Sequence, residues 1–158
     1  MFIKEQGYFP EFDELDTTNA IHFIAQIPAA TAKSVDESVQ EEGFHAIATA
    51  RIYQLLYNPD GVPPDGPEYP LQMVFCIGRV ACLKTYRGHG IGKLILDKAF
   101  STASRLGANK IVLHSQADKV GFYKQAGFSV IQVDGKDWCF EEDKHPHVGM
   151  QRLCDAAE

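Results

Sequence analysis

Cysteine is scarce in this 158-residue sequence, tryptophan occurs once, and there is neither an excess of positive charge nor a long hydrophobic run. Each shortage closes off a class of protein. The four cysteines, Cys76, Cys82, Cys139 and Cys154, form no C-x-x-C and no spacing of a disulfide framework. They are expected as buried, reduced thiols in a reducing compartment, which points to the cytoplasm, or to the nucleus and cytoplasm of a eukaryote. Cys139, His145 and His147 lack the ligand spacing of a zinc site, and no metal is expected. Lys and Arg total 15 against 21 Asp and Glu, a formal net charge of −6. Nucleic-acid binders carry basic patches, so no nucleic-acid partner is expected. No apolar run reaches the roughly 18 residues that a membrane helix needs, so no membrane association is expected. Residues 1–7 lack the basic region and apolar stretch of a signal peptide.

What is present has the balance of a soluble globule, 45% hydrophobic and 23% charged. The length suits a single domain over 1–158. Five of the eight prolines fall in 58–70 together with Gly61 and Gly66. Proline removes backbone donors and fixes φ, so this segment reads as a long surface loop. Apolar, partly alternating runs predict strands over 19–27, 44–56 and 71–83, with 29–43 as a long hairpin connection. The third run is almost continuously apolar, as in a strand covered on both faces. Gly78 inside it marks a bulge or a close backbone approach. A helix is predicted over 91–106, with Ile91, Leu94, Ile95, Ala99 and Ala103 as its apolar stripe and Gly107 as its C-terminal cap. A strand over 110–116, a helix over 118–125 and strands over 128–133, 138–141 and 147–153 complete the chain. The order β-β-β-α-β-α-β-β-β implies an α/β (α+β) fold, a mixed, partly parallel sheet with helices packed on it.

Between the third strand and the first long helix lies Tyr86-Arg-Gly-His-Gly-Ile-Gly92. A strand, a glycine-rich turn and a helix make a phosphate-binding arrangement, because the turn amides and the helix N-terminus both attract an anion. Spacing separates the cofactor classes. The dinucleotide pattern G-x-G-x-x-G requires a third glycine at 93 or 95, where Lys93 and Ile95 stand. The nucleotide P-loop requires one more residue between its glycines, and Leu94 occupies its hydroxyl position. Both fail.

Arg87-x-x-Gly90-x-Gly92 resembles the R/Q-x-x-G-x-G/A turn of the GNAT superfamily of N-acetyltransferases, and 118–128 is similar to that family's A-x-x-F-Y-x-x-x-G-F segment. Glu5-Gln6-Gly7, Ile77-Gly78-Arg79-Val80-Ala81, and Pro146-His147 with Met150 resemble the small ElaA-type and YjcF-type members. The resemblance runs from about 20 to 153. It implies a GNAT-like acyl-CoA N-acyltransferase fold whose central strands splay apart around acetyl-CoA. It also implies a first strand ahead of Glu5, which this sequence is expected to lack. The resemblance places cofactor contacts at Val80, Ala81, Cys82, Arg87, Gly88, His89, Gly90, Ile91, Gly92, Lys93, Gln116 and Phe122. It makes Tyr123 the general acid toward the departing thiolate, and His147 the base toward the amine, with Glu141, Glu142 and Asp143 as other candidates. Phe122 itself reads as core, its neighbour facing another way.

Arg79 stands inside an apolar strand, where an unpartnered charge is costly. It is expected either to hold an acceptor carboxylate or phosphate, or to pair with Glu5, Glu14 or Asp16. His22 and His114 read first as core histidines. His114 nevertheless sits at the strand end where acceptors approach and is a candidate substrate contact. The implied activity is direct acetyl transfer to the primary amine of a small metabolite, by a monomer or homodimer. An acyl-CoA-binding protein without activity, or an acetyltransferase acting on protein N-termini or lysines, are the alternatives.

Overall fold

The structure, a computed structural model, describes residues 19–35, 37, 42–55 and 73–154. The proline-rich loop, Glu5-Gln6-Gly7, the candidate partners Glu14 and Asp16, and the N-terminal segment on which the expectation about a first strand rests all lie outside the described residues.

Strands β1 (Ala20–Pro28), β2 (Phe44–Leu55) and β3 (Val74–Cys82) follow one another as an antiparallel meander. A short helix, α1 (Ala29–Lys33), occupies part of the connection expected between β1 and β2. After β3 the chain passes through the glycine turn into α2 (Ile91–Arg105), then β4 (Lys110–Gln116) and α3 (Val120–Gln125). β5 (Ser129–Val130), β6 (Gln132–Val133), β7 (Lys136–Asp137), β8 (Cys139–Glu142) and β9 (His145–Leu153) complete it. The main sheet runs β1-β2-β3-β4-β9-β5, with β8 also paired to β9, and β6 and β7 form a separate ribbon. β3 and β4 are parallel, and the other pairs are antiparallel. Among the described residues no helix is long and apolar enough to cross a membrane.

The strand expected over 128–133 is divided. Ile131 is buried, donates its N–H to the Gly149 carbonyl at 2.9 Å and accepts from the Trp138 amide at 2.9 Å. Beyond it the chain leaves the sheet for the β6–β7 hairpin, whose turn residues Asp134 and Gly135 have φ of 51° and 73°. Asp-Gly is the sequence expected at such a turn, because both of its central residues need positive φ.

One core lies between the sheet and the helices. Leu96, Ala99 and Ala103 of α2 are fully buried against Ile52, Ile77, Ile111, Leu113 and Met150. The apolar stripe differs from the expected one at Leu94, which is 69% exposed while Leu96 is buried. At about 100° per residue, Leu94 falls roughly 200° away from Leu96, on the outer face. A smaller cluster on the opposite face joins Val74, Cys76, Val112 and Ile131 with Tyr53, Leu55 and Trp138. Among the described residues the sheet therefore presents two different surfaces, a helix side that carries α2 and α3 and an opposite, open side.

Candidate active site

Between β3 and β4 the sheet comes apart. Their parallel register covers only Val74↔Lys110, Phe75↔Ile111 and Cys76↔Val112, although β3 continues to Cys82 and β4 to Gln116. The cause lies in β3. Opposite β2, Thr49 pairs with Ala81 and Arg51 with Gly78, so Arg79 and Val80 together face the single residue Ala50. This is a β-bulge, which bends a strand and increases its twist. It falls one residue beyond the Gly78 that signalled it, and Arg79 itself takes the left-handed conformation with φ 54°. A β-carbon added at Gly78 would meet only an ordinary contact, 3.7 Å from Arg51 Nε, so no close approach explains that glycine. Beyond Cys76 and Val112 the two strands share no ladder, and an extended ligand with amides of its own fits between such edges.

The glycine turn opens onto the same end of the gap. Gly88 and Gly90 have φ of 81° and 78°, where a β-carbon is strained, and Gly90 is the N-cap of α2. No side chain caps the helix and no acidic residue occupies its first turn. The amides of Ile91, Gly92 and Lys93 begin the helix, so their N–H groups have no intrahelical acceptor, and the helix dipole adds its positive end. Lys93 reaches Asp97 at 3.9 Å on the exposed side. Arg87 is exposed, and its Nε donates to the Cys82 carbonyl at 3.0 Å, tying the turn to the end of β3. His89 is exposed. Val80 and Cys82 pack toward the helix-side core, beside Ala48, Ala50 and Ile95, so their side chains fill the core while their backbone lines the gap. Gln116 ends β4 opposite His147.

α3 closes the helix side of the gap. Tyr123 packs on the main core and sits edge-on to Phe128, with ring centroids 6.3 Å apart. Burial pushes its hydroxyl up to about 12, so it remains a proton donor through the neutral range. Phe122 is not core: it is 38% exposed and stands over the glycine turn. A β-carbon at Gly92 would come within 3.0 Å of its Cζ.

The open side carries a second group. His114 projects there, since Ile111 and Leu113 on either side of Val112 enter the helix-side core. Neither His114 nor His22 is a core histidine. His22 is exposed on β1, and the His114 side chain is 43% exposed. His114 Nδ1 lies 3.2 Å from Glu142 Oε2. Its ring sits edge-on to Phe140 at 4.7 Å and to Trp138 at 5.7 Å. His147 is 7% exposed, pairs its Nδ1 with the His145 carbonyl at 2.9 Å, and stacks on Phe140 at 5.9 Å. Glu142 reaches His114 because β8 and β9 are joined by the two-residue turn Asp143-Lys144, with φ of 49° and 63°.

Gly149 makes this cluster possible. It is opposite His114 on β9 and shares a hydrogen bond with Trp138, so the indole lies across the space a side chain would fill. A β-carbon there would lie 2.8 Å from Trp138 Cζ3 and 2.9 Å from Cδ2. Gly149→Ala is therefore expected to cost about 1–3 kcal/mol through overpacking. For a chain of this size that is a fall in Tm of roughly 2–12 °C. The emission of Trp138, the sole tryptophan, reports the displacement. An unchanged Tm and spectrum would show that Trp138 does not lie on Gly149.

Arg51, Trp138 and Phe140 were not singled out from the sequence. Arg51 is 5% exposed on the open side, its guanidinium 5.3 Å from the Tyr53 ring centre. The signal that drew attention to Arg79, an arginine within an apolar strand, applied equally to Arg51. Trp138, Phe140 and Glu142 recur at the two-residue spacing of one strand face, a visible pattern. Cys76 lies among these groups. Burial pushes its thiol up to about 11, the Tyr53 hydrogen bond and Arg51 pull it down, and Glu142 adds to the rise. It is thus not a thiolate near neutrality. The expectation of buried thiols holds for Cys76 but not for Cys139, which is exposed, while Cys82 and Cys154 are half-buried.

Comparison with known proteins agrees with this geometry. The model of the acetyltransferase (GNAT) domain matches residues 35–130. A Bacillus subtilis protein whose name assigns it provisionally to the acetyltransferases is 33% identical over 157 residues, 99% of this chain and 85% of that protein. Escherichia coli ElaA is 35% identical over 78 residues, 48% of this chain and 47% of ElaA. The ElaA crystal structure superimposes with a TM-score of 0.63 at 25% identity, covering 96% of this chain and 81% of ElaA. An acyl-CoA N-acyltransferase structure from Pseudomonas aeruginosa gives a TM-score of 0.63 at 24% identity, covering 96% and 82%.

Proposed function

Because this chain belongs to the GNAT family of acetyltransferases, we propose that it transfers the acetyl group of acetyl-CoA directly to the primary amine of a small metabolite. The observation that carries the proposal is the gap between β3 and β4, which opens onto a helix N-terminus that no side chain caps and no acid neutralises. The chain's residues fit such a substrate. Backbone amides of Gly88 to Gly92 suit a pyrophosphate, with Arg87 adding positive charge at the rim. The open strand edges of Val80–Cys82 and of β4 suit an amide-bearing arm. A backbone N–H near Val80 or Cys82 suits the thioester oxygen, where a preorganised donor is often worth roughly 3 kcal/mol. Tyr123, held protonated by its burial, gives the departing sulfur its proton. The amine approaches from the open side, where a histidine of the cluster that holds both His114 and His147 takes up its proton. Arg79 at the bulge, and Arg51 near it, are candidates for holding an acceptor carboxylate. The four thiols fit a reducing compartment such as the cytoplasm.

Direct transfer is favoured over an acetyl-cysteine intermediate. Cys82, the thiol nearest the gap on β3, packs toward Ala48, Ala50 and Ile95 rather than into the opening. Calorimetric titration with acetyl-CoA, with NADH and ATP as controls, tests the reading. Micromolar binding of acetyl-CoA alone is expected, followed by thiol release on a panel of small primary amines. No acetyl-CoA binding by folded protein would overturn it.

A further inference from the structure

We propose that His114, positioned by Glu142, is the group that accepts the amine's proton, and that His147 stands behind it on the far side of Phe140. This rests on the acetyltransferase reading above. His114 is two residues beyond Val112, the last β4 residue paired to β3, and so stands at the lip of the gap on the open side. Its Nδ1 faces Glu142 Oε2 at 3.2 Å, close enough to donate its proton to the carboxylate. That bond fixes the tautomer and leaves the Nε2 lone pair as the basic site. Nε2 has no hydrogen-bond partner among the described residues. His147 has the opposite character. It is 7% exposed, its Nδ1 is tied to its own strand, and Phe140 covers its ring. An incoming amine meets His114 before it meets His147. Trp138 and Phe140 flank His114 and form an apolar wall, so the acceptor is an amine carried on a flat apolar body.

The protons balance. The amine nitrogen forms a bond to the acetyl carbon and gives one proton to His114 Nε2. The carbon–sulfur bond breaks and the thiolate takes the Tyr123 proton. His114, half exposed, releases its proton to water, and the tyrosinate recovers one. The sum is amine plus acetyl-CoA giving amide plus free coenzyme A thiol.

Two measurements test the proposal. Diethyl pyrocarbonate footprinting, read by mass spectrometry on the acetyl-CoA complex, needs no acceptor. Modification of His114 well ahead of His147 is expected, and the reverse order would overturn the proposal. Turnover with 2-phenylethylamine is the second. Here His114→Gln is expected to lower kcat about 100-fold or more with little change in the KM for acetyl-CoA, and His147→Gln is expected to lower it less. Glu142→Ala is expected to lower kcat with that same KM retained, and Glu142→Gln to recover part of the loss, since its amide oxygen still accepts from Nδ1. Equal losses in the alanine and glutamine variants would remove the positioning role. Absence of wild-type turnover on 2-phenylethylamine, with acetyl-CoA still bound, would overturn the inference alone. Failure to bind acetyl-CoA would instead overturn the parent reading.

Discussion

Gly90→Asp is expected to weaken acetyl-CoA binding about 100-fold while leaving the fold in place. At this position two effects that a glycine substitution usually mixes, on the fold and on the ligand, come apart. Gly90 has φ 78° and caps α2. Most residues are strained there, but Asp is among the few that tolerate the left-handed region. No described atom lies within 4 Å of a β-carbon added at this position, so nothing is displaced. A carboxylate at a helix N-terminus also contributes about 0.3–1 kcal/mol through the dipole, which offsets part of the strain. Thermal stability should therefore change by a few degrees at most. Binding should weaken far more than stability. The added charge occupies the place of the phosphates and repels them. Two like charges about 4 Å apart near a protein surface repel by about 4 kcal/mol, and solvent screening brings this to roughly 3 kcal/mol. That corresponds to a loss in affinity of about 100-fold. Calorimetry and a melting curve on the same sample check both halves. Retained affinity would remove the turn from the site.

Tyr123→Phe carries the second large effect. The substitution removes one oxygen and keeps the ring that packs on the core and on Phe128. Acetyl-CoA affinity is expected to stay within a few-fold, while kcat falls about 10²- to 10⁴-fold, the usual contribution of general acid catalysis. Unchanged kcat would show that another group protonates the sulfur. The same variant tests the environment of the hydroxyl. Burial raises the pKa of Tyr123 from 10.0 to about 12 in the folded protein. A group raised on folding contributes stability that is fully present below its unfolded pKa and lost as pH rises through the folded one. Wild type should therefore lose more stability than Tyr123→Phe between about pH 10 and about pH 12. Cys76, raised to about 11, contributes its own loss in both proteins and cancels from the comparison. Urea unfolding at the two ends of that window reads the difference. Parallel losses would mean that the hydroxyl is solvated.

The proposed cofactor end of this site rests on signals that the chain carries locally. A turn that needs positive φ at two positions needs glycine there, and a helix that leaves its N-terminal amides to an anion shows no acid in its first turn. Gly88, Gly90 and the run after them state both conditions within a few residues. The main elements were legible for the same reason, since apolar periodicity is a property of consecutive residues. The Asp134-Gly135 dipeptide marks the β6–β7 turn, but the division of the strand at Ile131 follows from pairing with Gly149 and Trp138. The turn at Asp143-Lys144 was not legible, because its second positive φ falls on Lys144, a residue with no preference for it, where a glycine would have marked the turn.

The proposed acceptor end depends on strand neighbours. His114 and Glu142 are 28 residues apart and meet only because β9 lies between β4 and β8. Gly149 reads as an unremarkable strand glycine until the Trp138 ring is seen lying across it. The splay itself depends on an extra residue at Arg79, whose backbone conformation no side-chain preference announces. Where a requirement is met within one turn or one strand, composition and order were enough to determine it. Pairing across the sheet, the side on which each histidine emerges, and which of them reaches the gap depended on register. A shift of one residue would carry each side chain to the other face, so these were settled only by the packing of the folded chain.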